Sequence, residues 1–184
     1  MQNLHYVQMK ARKELCSLLN KGIIFELYED CFKDPPYEEV FTREEINSLF
    51  LNYLEKGILI LCFQEKKENI IGFVAAIPLK HEDEISELAK KYGYNPLTDW
   101  YYADLGVAKK FRGNKIGQYL AKEIIQLIPA NKIIMRTQEK NMASLACHKE
   151  VGFKVIDGMH QSIKKERISG IKEEDKRVFL CFNK

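Results

Sequence analysis

WYYADLGVAKKFRGNKIGQYL, residues 100–120, reads as an apolar strand, a basic turn punctuated by Gly113 and Gly117, and the opening of a helix. A strand that passes through glycines into a helix N-terminus leaves backbone N–H groups unpaired and aims the positive end of the helix dipole at the same place. That is an anion cradle, and Arg112 and Lys115 add formal charge to it. The first expectation is a phosphate-bearing ligand. The turn is not a nucleotide P-loop, because no Gly-Lys-Ser/Thr follows the glycines, and it lacks the G-x-G-x-x-G spacing of a dinucleotide site. Taken alone, it is equally compatible with a flexible surface turn.

Its company decides between them. The run from Val107 to Leu120, with Arg112, Gly113, Asn114, Lys115, Ile116 and Gly117 in sequence, resembles the acyl-CoA-binding motif of the GNAT superfamily of N-acetyltransferases, Arg/Gln-x-x-Gly-x-Gly/Ala. One strand later, NMASLACHKEVGF at 141–153 is similar to that family's Asn-x-x-Ala-x-x-x-Tyr-x-x-x-Gly-Phe helix. The resemblance covers roughly residues 58–163, and the helices of residues 1–57 match by position only, on the acceptor side. Two departures stand out. Lys115 replaces the central glycine and places an ammonium beside the expected diphosphate, and His148 replaces the tyrosine.

The resemblance implies one GNAT-like domain over residues 1–184, an α/β (mixed α+β) fold. Its twisted, mostly antiparallel sheet has helices on both faces, and the strands near Val107 and Lys132 are parallel and splay apart. Acetyl-CoA is the implied co-substrate, with no metal, and the acetyl group passes directly to a primary amine. A small-molecule amine is favoured over a protein lysine or N-terminus; a non-catalytic acyl-CoA sensor is the rival class. Asp104 falls at the position of the family's base, where its shorter side chain suggests action through water. The amides of Leu105, Gly106 and Val107 are the implied oxyanion and pantetheine donors. Residues 112–117 take the diphosphate. Asn141 is expected to bond the pantetheine or cap its helix, on one face with Ser144 and His148. A protonated His148 is the candidate acid for the departing thiolate. By strand alternation Tyr102 is expected on the sheet face of Asp104, and Cys147 is expected to face the core.

Composition narrows the setting. With 184 residues and 46% apolar content, the chain supports one packed core. The net charge of +3 comes from interspersed Lys, Arg, Asp and Glu, which argues against nucleic acid as a partner. Five scattered cysteines, Cys16, Cys31, Cys62, Cys147 and Cys181, show no C-x-x-C or metal-ligand spacing and read as reduced thiols of the cytoplasm. No apolar run approaches bilayer length. A homodimer is compatible with these residues without being required by them.

Periodicity places the remaining elements. Residues 4–9 form a short strand, and Cys16 to Phe32 a helix or broken pair around Gly22, stopped by Pro35 and Pro36. Thr42-Arg-Glu-Glu45 is a capping box before a helix that Gly57 ends. Ile58–Phe63 and Ile70–Ile77 read as a hairpin with its charged turn at 64–69 and a bulge near Gly72. Residues 81–99 carry a short amphipathic helix, a connector or a lid whose Glu82-Asp83-Glu84 run would attract an amine. Ile116, Leu120, Ile124 and Leu127 form a buried stripe ahead of Pro129, and Lys132–Thr137 is the next strand. Phe153–Ile163 and Arg177–Phe182 pair last, across a charged linker at 164–176.

Overall fold

Two long apolar runs with few polar interruptions, ILILCFQ and NIIGFVAAIP, become the strands β2 (Ile58–Gln64) and β3 (Asn69–Pro78), buried on both sides because helices cover both faces. The computed structural model describes residues 3–64 and 69–184. The turn expected between these strands, at residues 65–68, lies outside the described residues. In chain order the other elements are β1 (Leu4–Gln8), α1 (Arg12–Asn20), α2 (Ile23–Phe32), α3 (Arg43–Lys56), α4 (Asp83–Lys90), β4 (Trp100–Val107), α5 (Ile116–Leu127), β5 (Lys132–Gln138), α6 (Met142–Val151), β6 (Lys154–Glu166) and β7 (Lys172–Asn183). They build one sheet in the order β1-β2-β3-β4-β5-β7-β6. Among its described pairs only β4 and β5 run parallel. Helices α1 to α4 pack on one face around Phe50, Phe73 and Tyr101, and α5 covers the other around Leu120, Ile124 and Tyr102. Among the described residues no helix is long and apolar enough to cross a membrane.

Local signals act as the sequence suggests at several ends. Gly22, at φ 77°, separates α1 from α2. The Thr42 hydroxyl accepts from the Glu45 N–H, while the Glu45 carboxylate accepts from the Thr42 N–H at 2.7 Å, closing the capping box. The register of β2 against β3 slips between Cys62 and Phe63, beside Gly72.

Other readings need correction. Leu127 is 44% exposed; Ile125 and Ile128 take its place in the core because the helix stripe drifts round the axis before Pro129. The charged stretch 164–176 is no linker. Both strands continue through it as a two-stranded ribbon with one face exposed, turning only at residues 167–171, because cross-strand charges such as Lys164 opposite Glu174 support pairing. Gly57 ends α3 without a left-handed cap, at φ −150°. Its reason is steric: a Cβ there would overlap the Ala76 carbonyl oxygen and come within 2.7 Å of Ile77 Cγ2.

The register of β4 matters most. Ala75 pairs with Asp104 but Ala76 pairs with Tyr102, so Ala103 is an extra residue, a β-bulge. The alternation resets there. Tyr102 lies on the α5 face, and Asp104 lies on the other face with Tyr28 and Tyr53, against the expectation that it shares a face with Tyr102.

The Gly57→Ala variant is expected to lose about 1–3 kcal/mol of stability by overpacking, read as a lower urea midpoint with an unchanged m-value.

Candidate active site

The parallel pair β4–β5 is joined only at Trp100 with Ile133, Tyr101 with Ile134, and Tyr102 with Met135. Beyond it the strands separate, and a cavity of about 270 Å³ occupies the gap, walled by Asp104, Val107, Thr137, Ser144 and His148. The N–H of Ala108 donates to the Ile71 carbonyl at 2.9 Å, which fixes the alternation along β4. Gly106 therefore turns its N–H to β3, paired with Phe73. Leu105 and Val107 turn theirs to the gap. Of the three amides expected at the ligand, Gly106 is thus the exception. Its glycine is required for another reason, since a Cβ would strike the Phe73 ring and lie 2.8 Å from Cys31 Sγ.

At the wide end lies the basic turn. Among the described residues no protein acceptor takes the backbone N–H groups of residues 113–118, where the turn meets the first residues of α5. Lys115, at the position of the motif's central glycine, is left-handed, φ 61° and ψ 8°, at a cost of roughly 1 kcal/mol for a residue with a Cβ. The Asn114 side-chain amide donates to the Phe111 carbonyl at 3.1 Å and holds the turn. Arg112 departs from expectation. Its Nε donates to the Val107 carbonyl at 3.0 Å and its Nη2 to the Cys31 carbonyl at 3.1 Å, so the guanidinium staples α2 to the end of β4. Lys109, in the same basic strip, pairs with Asp34 at 2.7 Å. What the turn offers an anion is chiefly main-chain donors, with Lys115 among them.

Helix α6 forms the opposite wall. Asn141 caps it, its Oδ1 accepting from the Ser144 N–H at 3.0 Å while its Nδ2 donates to the Tyr37 hydroxyl at 2.8 Å. Ser144 and His148 share a face, as the spacing requires. His148 Nδ1 lies 2.8 Å from the Ser144 carbonyl, which fixes the ring proton on Nδ1 and leaves Nε2 an acceptor. The ring is 2% exposed, and burial pulls its pKa down to about 4. A cationic His148 acting as acid is therefore corrected to a neutral imidazole with no proton on the atom it would use. The Tyr102 ring meets it edge-on at 5.2 Å, and both the Tyr102 hydroxyl and His148 Nε2 are buried without a protein partner. Cys147 is half-buried beside Gly117 in this wall, not in the core, and burial raises its pKa, which keeps it a thiol.

A second cavity, about 300 Å³, opens on the other side of Asp104, and Tyr37, Ala103, Asp104 and Arg136 line both. Asp104 Oδ2 accepts from the Tyr28 hydroxyl at 3.0 Å and the Tyr53 hydroxyl at 3.2 Å. Burial pushes the carboxyl up to about 7; the two tyrosines counter this, and the charge of Glu39 adds to it. Both phenols are held well above their ordinary pKa by burial and so stay donors. Glu82 also lines this cavity, its pKa raised by burial, whereas Asp83 and Glu84 are exposed. Helix α4 is no loose lid: Ile85 and Ala89 are buried, and the nearby Tyr92 hydroxyl donates to the Gly158 carbonyl at 2.6 Å. The sequence reading missed Tyr28, Tyr53 and Arg136, the first two because a tyrosine in an apolar helix stripe looks like packing alone. Among the described residues no group of His, Cys, Asp or Glu is placed to hold a metal ion.

The sequence profile of the Acetyltransferase (GNAT) family matches residues 23–153, most of the chain. The chain belongs to the GNAT acetyltransferase family. No curated protein sequence matches it. Solved GNAT structures show the same fold at low identity. The ribosomal-protein-S18-alanine N-acetyltransferase of Escherichia coli is 10% identical with a TM-score of 0.66, over 98% of this chain and 94% of its own. Arabidopsis thaliana NAA60 in complex with acetyl-CoA is 15% identical with a TM-score of 0.65, over 98% of both chains. The IAA acetyltransferase of Bacillus cereus ATCC 14579 is 13% identical with a TM-score of 0.61, over 99% of this chain and all of the other. The Arabidopsis relative is solved with acetyl-CoA, and the residues that line the gap between β4 and β5 of this chain fit such a co-substrate. Open amides at 113–118 suit a diphosphate, the outward N–H of Val107 suits a pantetheine amide, and two orphaned polar atoms lie at the narrow end.

His148 is expected to remain neutral at pH 5 in an imidazole NMR titration, with a midpoint near 4. Because its pKa is lowered on folding, it contributes stability that is lost as pH falls from about 6.5 toward 4. His148→Phe should remove that loss, so that its melting temperature gains on the wild type's as pH falls across the window, where Asp104 contributes the opposite slope.

Proposed function

We propose that this protein transfers the acetyl group of acetyl-CoA directly to the primary amine of a small molecule, with Asp104 as the base. The observation that carries this reading is the position of Asp104 where the two cavities meet, facing the co-substrate gap on one side and the tyrosine-lined chamber on the other. An alkylammonium has a pKa of about 10.4 and must lose a proton before it attacks. A carboxylate poised near 7 accepts that proton at neutral pH, directly or through water. Acetyl-CoA supplies an activated acyl group: the C–N bond forms at its carbonyl carbon as the C–S bond breaks. The Leu105 N–H, the other amide turned to the gap, supports the developing oxyanion. Tyr102, with its unpaired hydroxyl in the same wall, supplies the proton to the departing thiolate; neutral His148 orients its ring.

The small-molecule assignment is supported by the β6–β7 ribbon, which crosses toward the loop after α2. Ile168 N–H donates to the Glu38 carbonyl at 2.9 Å, and Arg167 bonds the Tyr37 carbonyl and Asp175. These contacts close one side of the acceptor chamber to a long polypeptide. The buried Arg167–Asp175–Arg177–Glu39 network keeps the ribbon in place.

The value of kcat/KM is expected to rise with pH through about 7. Asp104→Asn should remove that inflection and lower kcat by about a hundredfold, with acetyl-CoA affinity retained. The same variant should be more heat-stable than the wild type above pH 7 and equal to it below pH 4. The native carboxyl, raised on folding, binds more protons than the unfolded one between those limits, so wild-type stability falls as pH rises through them. Tyr102→Phe should cost about tenfold or more in kcat, the worth of a hydrogen bond to a charged group. Gly117→Val should crowd Cys147 and Leu105 beside the cradle and weaken CoA binding at least tenfold in calorimetry. Unchanged affinity would place the diphosphate elsewhere.

A further inference from the structure

The acceptor chamber carries more charge than amine chemistry needs. Lys165 and Arg177 both pair with Glu39, at 3.1 and 3.3 Å, and Arg177 also pairs with Asp175. Arg136 differs. It is half-buried, it lines both cavities, and among the described residues no carboxylate lies within ion-pair distance of it; its Nη1 donates to the neutral Gln161 at 2.7 Å. Glu82 lines the same chamber and feels its charge, yet the two form no ion pair. A half-buried guanidinium without a counter-ion is costly, and its planar fork of N–H groups matches a carboxylate.

Its place in the fold matters as much as its charge. Arg136 is the residue of β5 that follows Met135, and Met135 pairs with Tyr102 at the end of the β4–β5 ladder. Alternation puts Arg136 on the sheet face of Ile134, and the Ala103 bulge puts Asp104 on that same face. Base and guanidinium therefore face one chamber from opposite sides of a gap that starts at the strand spacing of about 5 Å. An amine and a carboxylate borne on one carbon meet both groups together.

We propose that the acceptor is a free α-amino acid, held by its carboxylate on Arg136 while its α-amine is presented to Asp104. The proposal rests on the acetyltransfer reading and names its substrate class. Phe41, Leu49 and Tyr53, on the α2–α3 side of the chamber, wall the space left for the side chain. The product is the N-acetyl amino acid, with the amine proton taken by Asp104 and coenzyme A released as the thiol. Arg136 is a specificity residue here, and a polyamine or a peptide N-terminus would leave it unpaired.

The test pairs each amino acid of a standard panel with its carboxamide and with its decarboxylated amine, using the full chain, acetyl-CoA and thiol release. Short peptides with a free N-terminus form a further arm. The expected result is turnover of at least one free amino acid, at least tenfold better in kcat/KM than its amide and its decarboxylated amine, with the difference carried by KM. In Arg136→Gln that ratio should fall toward one, and Arg136→Lys should restore part of it. Calorimetry should show the accepted amino acid, but not its amide, binding to the CoA-loaded protein. Equal use of decarboxylated amines, or preference for peptides, overturns the amino-acid assignment and leaves acetyl transfer standing. Thiol release from no amine of any arm overturns both.

Discussion

The loss of hydrogen bonding between β4 and β5 beyond Tyr102 and Met135 is the constraint on which the rest depends. A parallel pair held at only a few positions has main-chain donors at its open end, and those donors must be satisfied by something. Everything around the gap keeps it open. Helix α5 starts from one lip with its N-terminal amides without a protein acceptor among the described residues, and α6 stands against the other, capped by Asn141. Strand β7 pairs along the whole of β5 from the far side, so β5 cannot swing back. Arg112, folded onto the carbonyls of Val107 and Cys31, holds the end of β4 to α2. The wedge follows from the sheet order and these anchors.

The second consequence follows from one inserted residue. The bulge at Ala103 turns Asp104 away from Tyr102 and toward the helices of the first face. The carboxyl thereby leaves a face filled by α5 and enters one that has aromatic hydroxyls and a chamber. Desolvation there raises its pKa, and Tyr28 and Tyr53 keep it from rising further. The same low-dielectric surroundings neutralise His148, so burial favours the uncharged form of both groups. Two titratable residues that line one cavity are shifted in opposite directions by a common cause.

Much of this was legible in the sequence. The capping box at Thr42, the continuous apolar runs of β2 and β3, the glycine turn at 113–117 and the Asn141 helix are local patterns whose physics is contained within a few residues. Their spacing also announced the GNAT family. The roles of Arg112, Gly106, Cys147 and His148 were not legible in the same way. Each depends on which partner a distant segment presents: the α2 carbonyls for Arg112, the Phe73 ring for Gly106, the α5 turn for Cys147, and an enclosing wall for His148.

The sequence by itself determined most of the elements, their order and the glycine-punctuated turn at 113–117, because hydrophobic period, caps and glycine positions act over short range. Only the tertiary structure decided which atoms are free to act. Whether an amide, a guanidinium or an imidazole is available turns on burial and on partners far away in the chain. The chamber joining Tyr28, Tyr53, Glu82, Asp104 and Arg136 draws on residues of α2, α3, β4, β5 and the segment before α4. No single stretch of sequence contains that juxtaposition.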